Sequence, residues 1–166
     1  MKVLGLVLLT RPTSPAQVPE TSVTIVKEAY DLSSIPFFER SNARELIKYG
    51  LHFFRTVLIY QFCYVFPAVR VLVGKVGPGG MRSLNYPEVN HIFHIVVKSD
   101  GRAACTISSQ DYPTQSGISS SLGLLKQDPA SLQMDKELKK IQDPAEADKF
   151  LVSIIYVSIL YLLFFV

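Results

Sequence analysis

The chain has 166 residues, a formal net charge of +3 and a hydrophobic fraction of 48%, which provides for one domain of ordinary size with its own core and a short tail. Its Lys and Arg residues are scattered, and no block of like charge could track a phosphate backbone, which argues against nucleic acid as a partner. The two cysteines, Cys63 and Cys105, have neither a CxxC neighbour nor a His at zinc-finger spacing, so reduced, buried thiols are expected, with no metal and no other cofactor.

Val3 to Leu9 is a continuous apolar run after Lys2. It is short for a secretory signal and lacks a small-residue cleavage site, and Pro12 and Pro15 break it, so it reads as a first strand followed by a surface loop. Alternation around Val23 and Ile25 predicts a second strand over 22–31, in hairpin relation to the first. Asn42 with Glu45 three residues on forms a capping box, and Leu46, Tyr49, Phe53 and Val57 recur at helical spacing after it. From Val57 to Val69 the pattern loses all charge, and Pro67 ends any helix there. Roughly 13 uncharged residues fall short of the about 20 that a bilayer-crossing helix needs, so the segment is expected to be buried.

Gly74 to Gly80 lacks the flanking residues of a phosphate-binding loop and is expected to be a plain turn. Asp100-Gly101 sits between the apolar runs 92–97 and 103–107, a strong hairpin signal, and predicts antiparallel strands on either side. Asp111-Tyr112-Pro113 then leads into a Ser- and Gly-rich stretch with Ile118, Leu122, Leu124 and Leu125, read as a weak helix, and 131–141 reads as a short charged one. Asp143-Pro144-Ala145-Glu146 is a further helix start, with Asp143 as cap and Pro144 in the first turn. This order of elements argues for an α+β domain, one antiparallel sheet with helices on its faces.

Phe150 to Val166 carries no charge. As a helix its roughly 17 residues reach about 25 Å against a hydrocarbon thickness near 30 Å, so spanning is marginal and requires local thinning. Phe150, Leu151, Ile154, Ile155, Leu160, Leu162, Leu163, Phe164 and Phe165 are the expected anchor, entering membrane lipid from the cytosolic side, where Lys136, Lys139, Lys140 and Lys149 precede it. The alternative is a core helix, which an apolar surface on every side makes difficult in a small domain.

Catalytic motifs are absent from the local sequence: there is no G-x-S-x-G, and the acidic residues fall mainly in loops and helix starts where capping accounts for them. His91 and His94, three apart on a strand, point to opposite faces and make a poor metal pair. An enzyme is not expected.

Four stretches carry a resemblance: Met1-Lys2-Val3-Leu4; Ala29 to Ser34 running on through Pro36-Phe37-Phe38-Glu39-Arg40-Ser41; Asp111-Tyr112-Pro113; and Gln142-Asp143-Pro144-Ala145-Glu146-Ala147-Asp148-Lys149. Together they resemble the YKT-type longin R-SNAREs, synaptobrevin-like and lipid-anchored, over the longin domain. The resemblance implies a profilin-like fold: a five-stranded antiparallel sheet with one helix on one face and two on the other. It also implies a role in vesicle-mediated transport and membrane fusion at the cytoplasmic face of secretory or endosomal membranes, Golgi and endoplasmic reticulum vesicles among them. The expected partners are SNARE proteins or SNARE-like helices and membrane lipid, taken up in a hydrophobic groove around Phe37, Phe38, Leu46, Tyr49 and Phe53. Tyr49 stands where the family has phenylalanine, and its added hydroxyl needs a partner when buried. Phe37 and Phe38 also fit a staple that packs the entry of the first helix.

The expected organisation is a longin domain over 1–140, with 58–75 as an apolar insertion atypical of the family, a helix start and linker over 141–149, and the apolar helix over 150–166. The SNARE heptads and the terminal prenylation box of the family have no counterpart among these residues. A tail-anchored longin adaptor without fusion activity, or a truncated SNARE product without function, are therefore the alternatives.

Overall fold

The structure is a computed structural model, and it describes residues 2–33, 69–87, 90–145 and 148. In chain order these form β1 (Val3–Thr10), β2 (Thr24–Tyr30), α1 (Val69–Lys75), β3 (Met81–Tyr86), β4 (His91–Val97), β5 (Arg102–Ser109), α2 (Thr114–Lys126) and α3 (Met134–Lys140), with a 3-10 turn at Glu20–Ser22. The strands make one five-stranded sheet in the order β2-β1-β5-β4-β3, and every neighbouring pair is antiparallel.

The apolar run of β1 follows from its place. It pairs with β2 on one edge and β5 on the other, and α1 covers one face of the sheet while α2 and α3 cover the other, so Val3 to Leu9 are all buried. On the α1 face Leu4, Val7 and Leu9 join Phe93, Ile95, Cys105 and Ile107 of β4 and β5. On the opposite face Val3, Leu6 and Leu8 meet Leu124 and Leu125 of α2, and Leu132, Met134, Leu138 and Ile141 in and around α3. The face assignment changes phase between Leu4 and Leu6, beside the slip of the pairing with β5 between Val3 and Gly5, as an extra residue in one strand requires. A second slip, opposite Leu8 and Leu9, turns Val26 outward to 43% exposure. It also lets Lys27 reach the α2–α3 connection, where its Nζ donates to the carbonyls of Ala130 (3.3 Å) and Leu132 (2.9 Å).

The Asp100-Gly101 signal gives the hairpin between β4 and β5. Gly101 has φ +85°, a conformation that costs glycine nothing, and Asp100 accepts from the Arg102 backbone N–H and Nε at 3.0 and 2.8 Å. The same carbonyl-rich corner receives β1: Arg11 N–H donates to the Gly101 carbonyl at 2.8 Å.

Arg11 itself is buried and has carbonyl oxygens as its hydrogen-bond acceptors. Its guanidinium donates to Pro12, Ser14 and Ala16 in the loop after β1, and to Val73, Gly74 and Val76 at the end of α1. The last carbonyls of a helix have no partner within it and carry the negative end of its dipole, so a permanently charged, planar, five-donor group fits there. This tie explains how a helix of 7 residues, too short to persist alone, keeps a fixed place on the sheet. That helix is the last part of the stretch read as an insertion, and its Val69, Leu72 and Val73 belong to the core.

Replacing Arg11 by Met retains the aliphatic stem but strands several buried carbonyls. Chemical denaturation of Arg11→Met is expected to give an unfolding free energy about 2 to 3 kcal/mol below that of the unaltered chain, with Arg11→Lys recovering part of the loss.

Candidate functional site

The groove residues expected from the sequence, Phe37, Phe38, Leu46, Tyr49 and Phe53, lie outside the described residues, as do the anchor residues of 150–166. The described ground nearest in kind is the α1 face at edge strand β3. There Leu84 and Tyr86 pack as half-buried side chains on the core, and the Tyr86 ring meets Phe93 edge-on at 5.5 Å and 83°; Met81, 56% exposed, lies on the other face, opposite Val96.

The described parts of all four stretches that carry the resemblance converge at one end of the sheet. Lys2 Nζ lies 3.1 Å from the Asp31 carboxylate and donates to Ser33 Oγ at 2.9 Å, while Asp31 N–H donates to the Leu4 carbonyl at 2.7 Å. The Ser33 hydroxyl bond, with the Ser33 backbone N–H and Lys2 adding to it against some desolvation, holds the Asp31 carboxyl below its ordinary pKa. Tyr112 is buried, and its hydroxyl donates to the Ile141 carbonyl at 2.7 Å. Gln142 presents its side-chain amide to Val3 as a neighbouring strand would: Oε1 accepts the Val3 N–H at 2.9 Å and Nε2 donates to the Val3 carbonyl at 2.7 Å. Asp143 accepts the Ala145 N–H at 3.0 Å, the capping expected of it. Asp148 accepts from Ser116 Oγ at 2.8 Å. Since α2 begins at Pro113 without a side-chain cap and without an acidic residue in its first turn, Asp148 supplies from elsewhere the negative charge that a helix N-terminus favours.

A second cluster lies between α2 and the sheet, and it is polar. Ser116, Ser119, Ser120 and Ser121 of α2 are buried, as are His94, Thr106 and Ser108 of the sheet. Ser83 Oγ and Ser108 Oγ each lie 2.9 Å from a ring nitrogen of His94, Nδ1 and Nε2 respectively. Ser121 Oγ donates to the His94 carbonyl at 2.9 Å and lies 2.8 Å from Thr106 Oγ1, and Ser120 Oγ donates back to the Ser116 carbonyl at 2.7 Å. Among the described residues no buried side-chain nitrogen or oxygen lacks a partner. Gly117 is what lets the helix lie this close, because a Cβ there would overlap the imidazole.

The chemistry open to this cluster is limited. Burial pushes the His94 pKa down to about 4, so the imidazole is neutral and weakly basic near pH 7 and does not make of Ser83 the activated nucleophile that hydrolysis requires. Burial pushes the Cys105 thiol up, which leaves it protonated and inert. Strand alternation puts His91 on the other face from His94, and among the described residues no three His, Cys, Asp or Glu side chains are grouped to hold a metal ion. No helix among the described residues is long and apolar enough to cross a membrane. No protein-family model matches the chain.

The sequence does not announce this layer, because apolar periodicity is blind to a helix buried through serine and glycine. Its packing is testable through a sign. Alanine favours a helix over glycine by about 1 kcal/mol, yet Gly117→Ala is expected to lower the unfolding free energy by about 1 to 3 kcal/mol through overlap with the ring. Adding His94→Ala should recover part of that loss in a double-mutant cycle.

Proposed function

We propose that the chain acts as a longin-type domain, profilin-like in fold, that binds hydrophobic SNARE helices or membrane lipid during vesicle-mediated transport and fusion, at the cytoplasmic face of secretory or endosomal membranes. One observation carries this reading. The four stretches that resemble YKT-type longin R-SNAREs are scattered over the chain from Met1 to Lys149, yet the described parts of all four meet at one end of a five-stranded antiparallel sheet. Residues that resemble a family by chance have no reason to touch.

The sidedness of the helices supports the same reading, with α1 on one face and α2 and α3 on the other. So does the chemistry of several described residues: Asp143 and Asp148 serve helix starts, Lys2 and Arg11 tie segments together, and His94 and Cys105 sit neutral in the interior, a distribution that suits a binding domain. In this reading Phe37, Phe38, Leu46, Tyr49 and Phe53 line the groove, and 150–166 enters the membrane.

The test is calorimetric titration of the chain with an apolar SNARE-helix peptide and, separately, with lipid vesicles. Saturable peptide binding is expected, and Tyr49→Ala should weaken it by about 1 kcal/mol or more, as loss of an aromatic anchor does. Identical titration curves for Tyr49→Ala and the unaltered chain would remove the groove from the proposal, and absence of binding to either ligand would contradict the function. For the tail, the full chain is expected to resist carbonate extraction from membranes and a chain ending at Lys149 to be extracted.

A further inference from the structure

We propose that His94 is an acid-sensitive latch for α2, such that one proton taken up by its imidazole releases the helix from the sheet. The neutral ring is fully satisfied where it lies. One nitrogen donates and the other accepts, and the hydroxyls of Ser83 and Ser108, each 2.9 Å away, can play either part. The ring is wholly buried, and the backbone of α2 rests directly on it at Gly117, where even a Cβ has no room. On the side of Nε2 and Gly117 water can therefore reach a charged ring only if the helix moves, while on the other side the exposed Ser83 of the edge strand fills the place at Nδ1.

After protonation both ring nitrogens donate, and the positive charge meets no carboxylate on the elements packed around it. Strands β3, β4 and β5 and helix α2 contain no Asp or Glu. Their charged or titratable groups are Arg82 and Tyr86 on β3, His91 on β4, Arg102 and Cys105 on β5 and Lys126 on α2, and Cys105 belongs to the core of the other face. Lys98, just beyond β4, is fixed to the Leu125 carbonyl at the end of α2, and Asp100 is bound to Arg102. Asp111 and Tyr112 stand between β5 and α2, and Tyr112 is engaged with the Ile141 carbonyl. Asp148 reaches the first turn of α2 but is bound to Ser116. Among the described residues the imidazolium is thus buried without a counter-charge, a state that proteins avoid at a cost of several kcal/mol.

The direction of the effect follows from linkage. Burial holds the folded pKa at about 4, below the ordinary value of about 6.5, so α2 is fully seated above pH 6.5 and its seating is lost progressively as the pH falls toward 4. Between pH 7 and pH 5 the equilibrium constant for lifting α2 is expected to rise about 20-fold. An acidic compartment would then uncover the apolar underside of the helix, Leu124 and Leu125, together with the sheet beneath.

Amide hydrogen exchange of the full chain in detergent micelles, measured from pH 7 to pH 4 and corrected for intrinsic exchange, tests the latch. The expected result is a loss of protection in 114–126, about 20-fold by pH 5, while β1 and β5 stay protected, and a flat profile for the same helix in His94→Gln. The titration of His94 itself, followed by imidazole NMR in the unaltered chain, keeps the test decisive if that variant fails to fold: its midpoint must lie below the ordinary value of about 6.5 and track the exposure of α2. A profile unchanged by His94→Gln, a His94 that titrates at its ordinary value with α2 still protected, or simultaneous loss of β1 and β5 would each overturn the proposal.

Discussion

Everything in this domain depends on β1 having no free side. It is hydrogen-bonded along both edges and covered on both faces, so each residue from Val3 to Leu9 must be apolar or small, and each element that covers it is committed to a position. Such a strand gains burial on two faces for one length of ordered backbone, a favourable return on the conformational entropy lost. The consequence is that neither face can be uncovered alone without exposing half of the strand. Arg11 extends the same constraint past the end of β1, converting the carbonyls of a short helix into acceptors for one charge, and Gln142 extends it before the start by mimicking a strand at Val3.

The two faces are built on different physics. The α1 face is closed by branched and aromatic side chains around Phe93 and Ile95, where affinity comes from area and shape. The α2 face mixes an apolar half near α3 with a hydroxyl and imidazole layer under the first turns of α2. Hydroxyl hydrogen bonds contribute little net stability once the loss of water is counted, but they fix geometry, since each buried group left unpaired costs more than a pair gains. A face held this way can be rigid at neutral pH and still be sensitive to a single charge, whereas the α1 face has no buried imidazole among the described residues. If the domain binds a hydrophobic helix, the α1 face and its edge strand β3 have the chemistry for it, and the α2 face has the chemistry for control.

Much of the sheet was legible from local signals. The apolar run of β1, the alternation around Ile25 in β2, and Asp100-Gly101 between β4 and β5 each state their geometry within a few residues, and Asp143 before Pro144 states a helix start. Strand β3 escaped, because Met-Arg-Ser-Leu-Asn-Tyr has only Leu84 and Tyr86 to mark one half-buried side and an otherwise polar edge. Helix α1 escaped because an evenly apolar stretch carries no period, although 69–75 proved to be core. Helix α2 was read as weak because its buried positions include four serines, whose partners, such as His94 and Thr106 for Ser121 and Asp148 for Ser116, lie far off in the sequence. The contacts that organise the candidate site, Gln142 with Val3 across 139 residues and Asp148 with Ser116, have no local signature at all. The resemblance marked the stretches, and the fold supplied the reason for them.

The most direct test of the proposed binding function, on the reading that the ligand sits on the face that carries α1, is NMR perturbation mapping of the isotope-labelled chain in lipid nanodiscs during titration with an apolar SNARE-helix peptide. The account predicts that shift changes concentrate at Leu84 and Tyr86 of β3 and in α1, with Ser116 to Leu125 of α2 undisturbed at neutral pH. Changes confined to α2 and α3, with β3 and α1 silent at saturation, would contradict it.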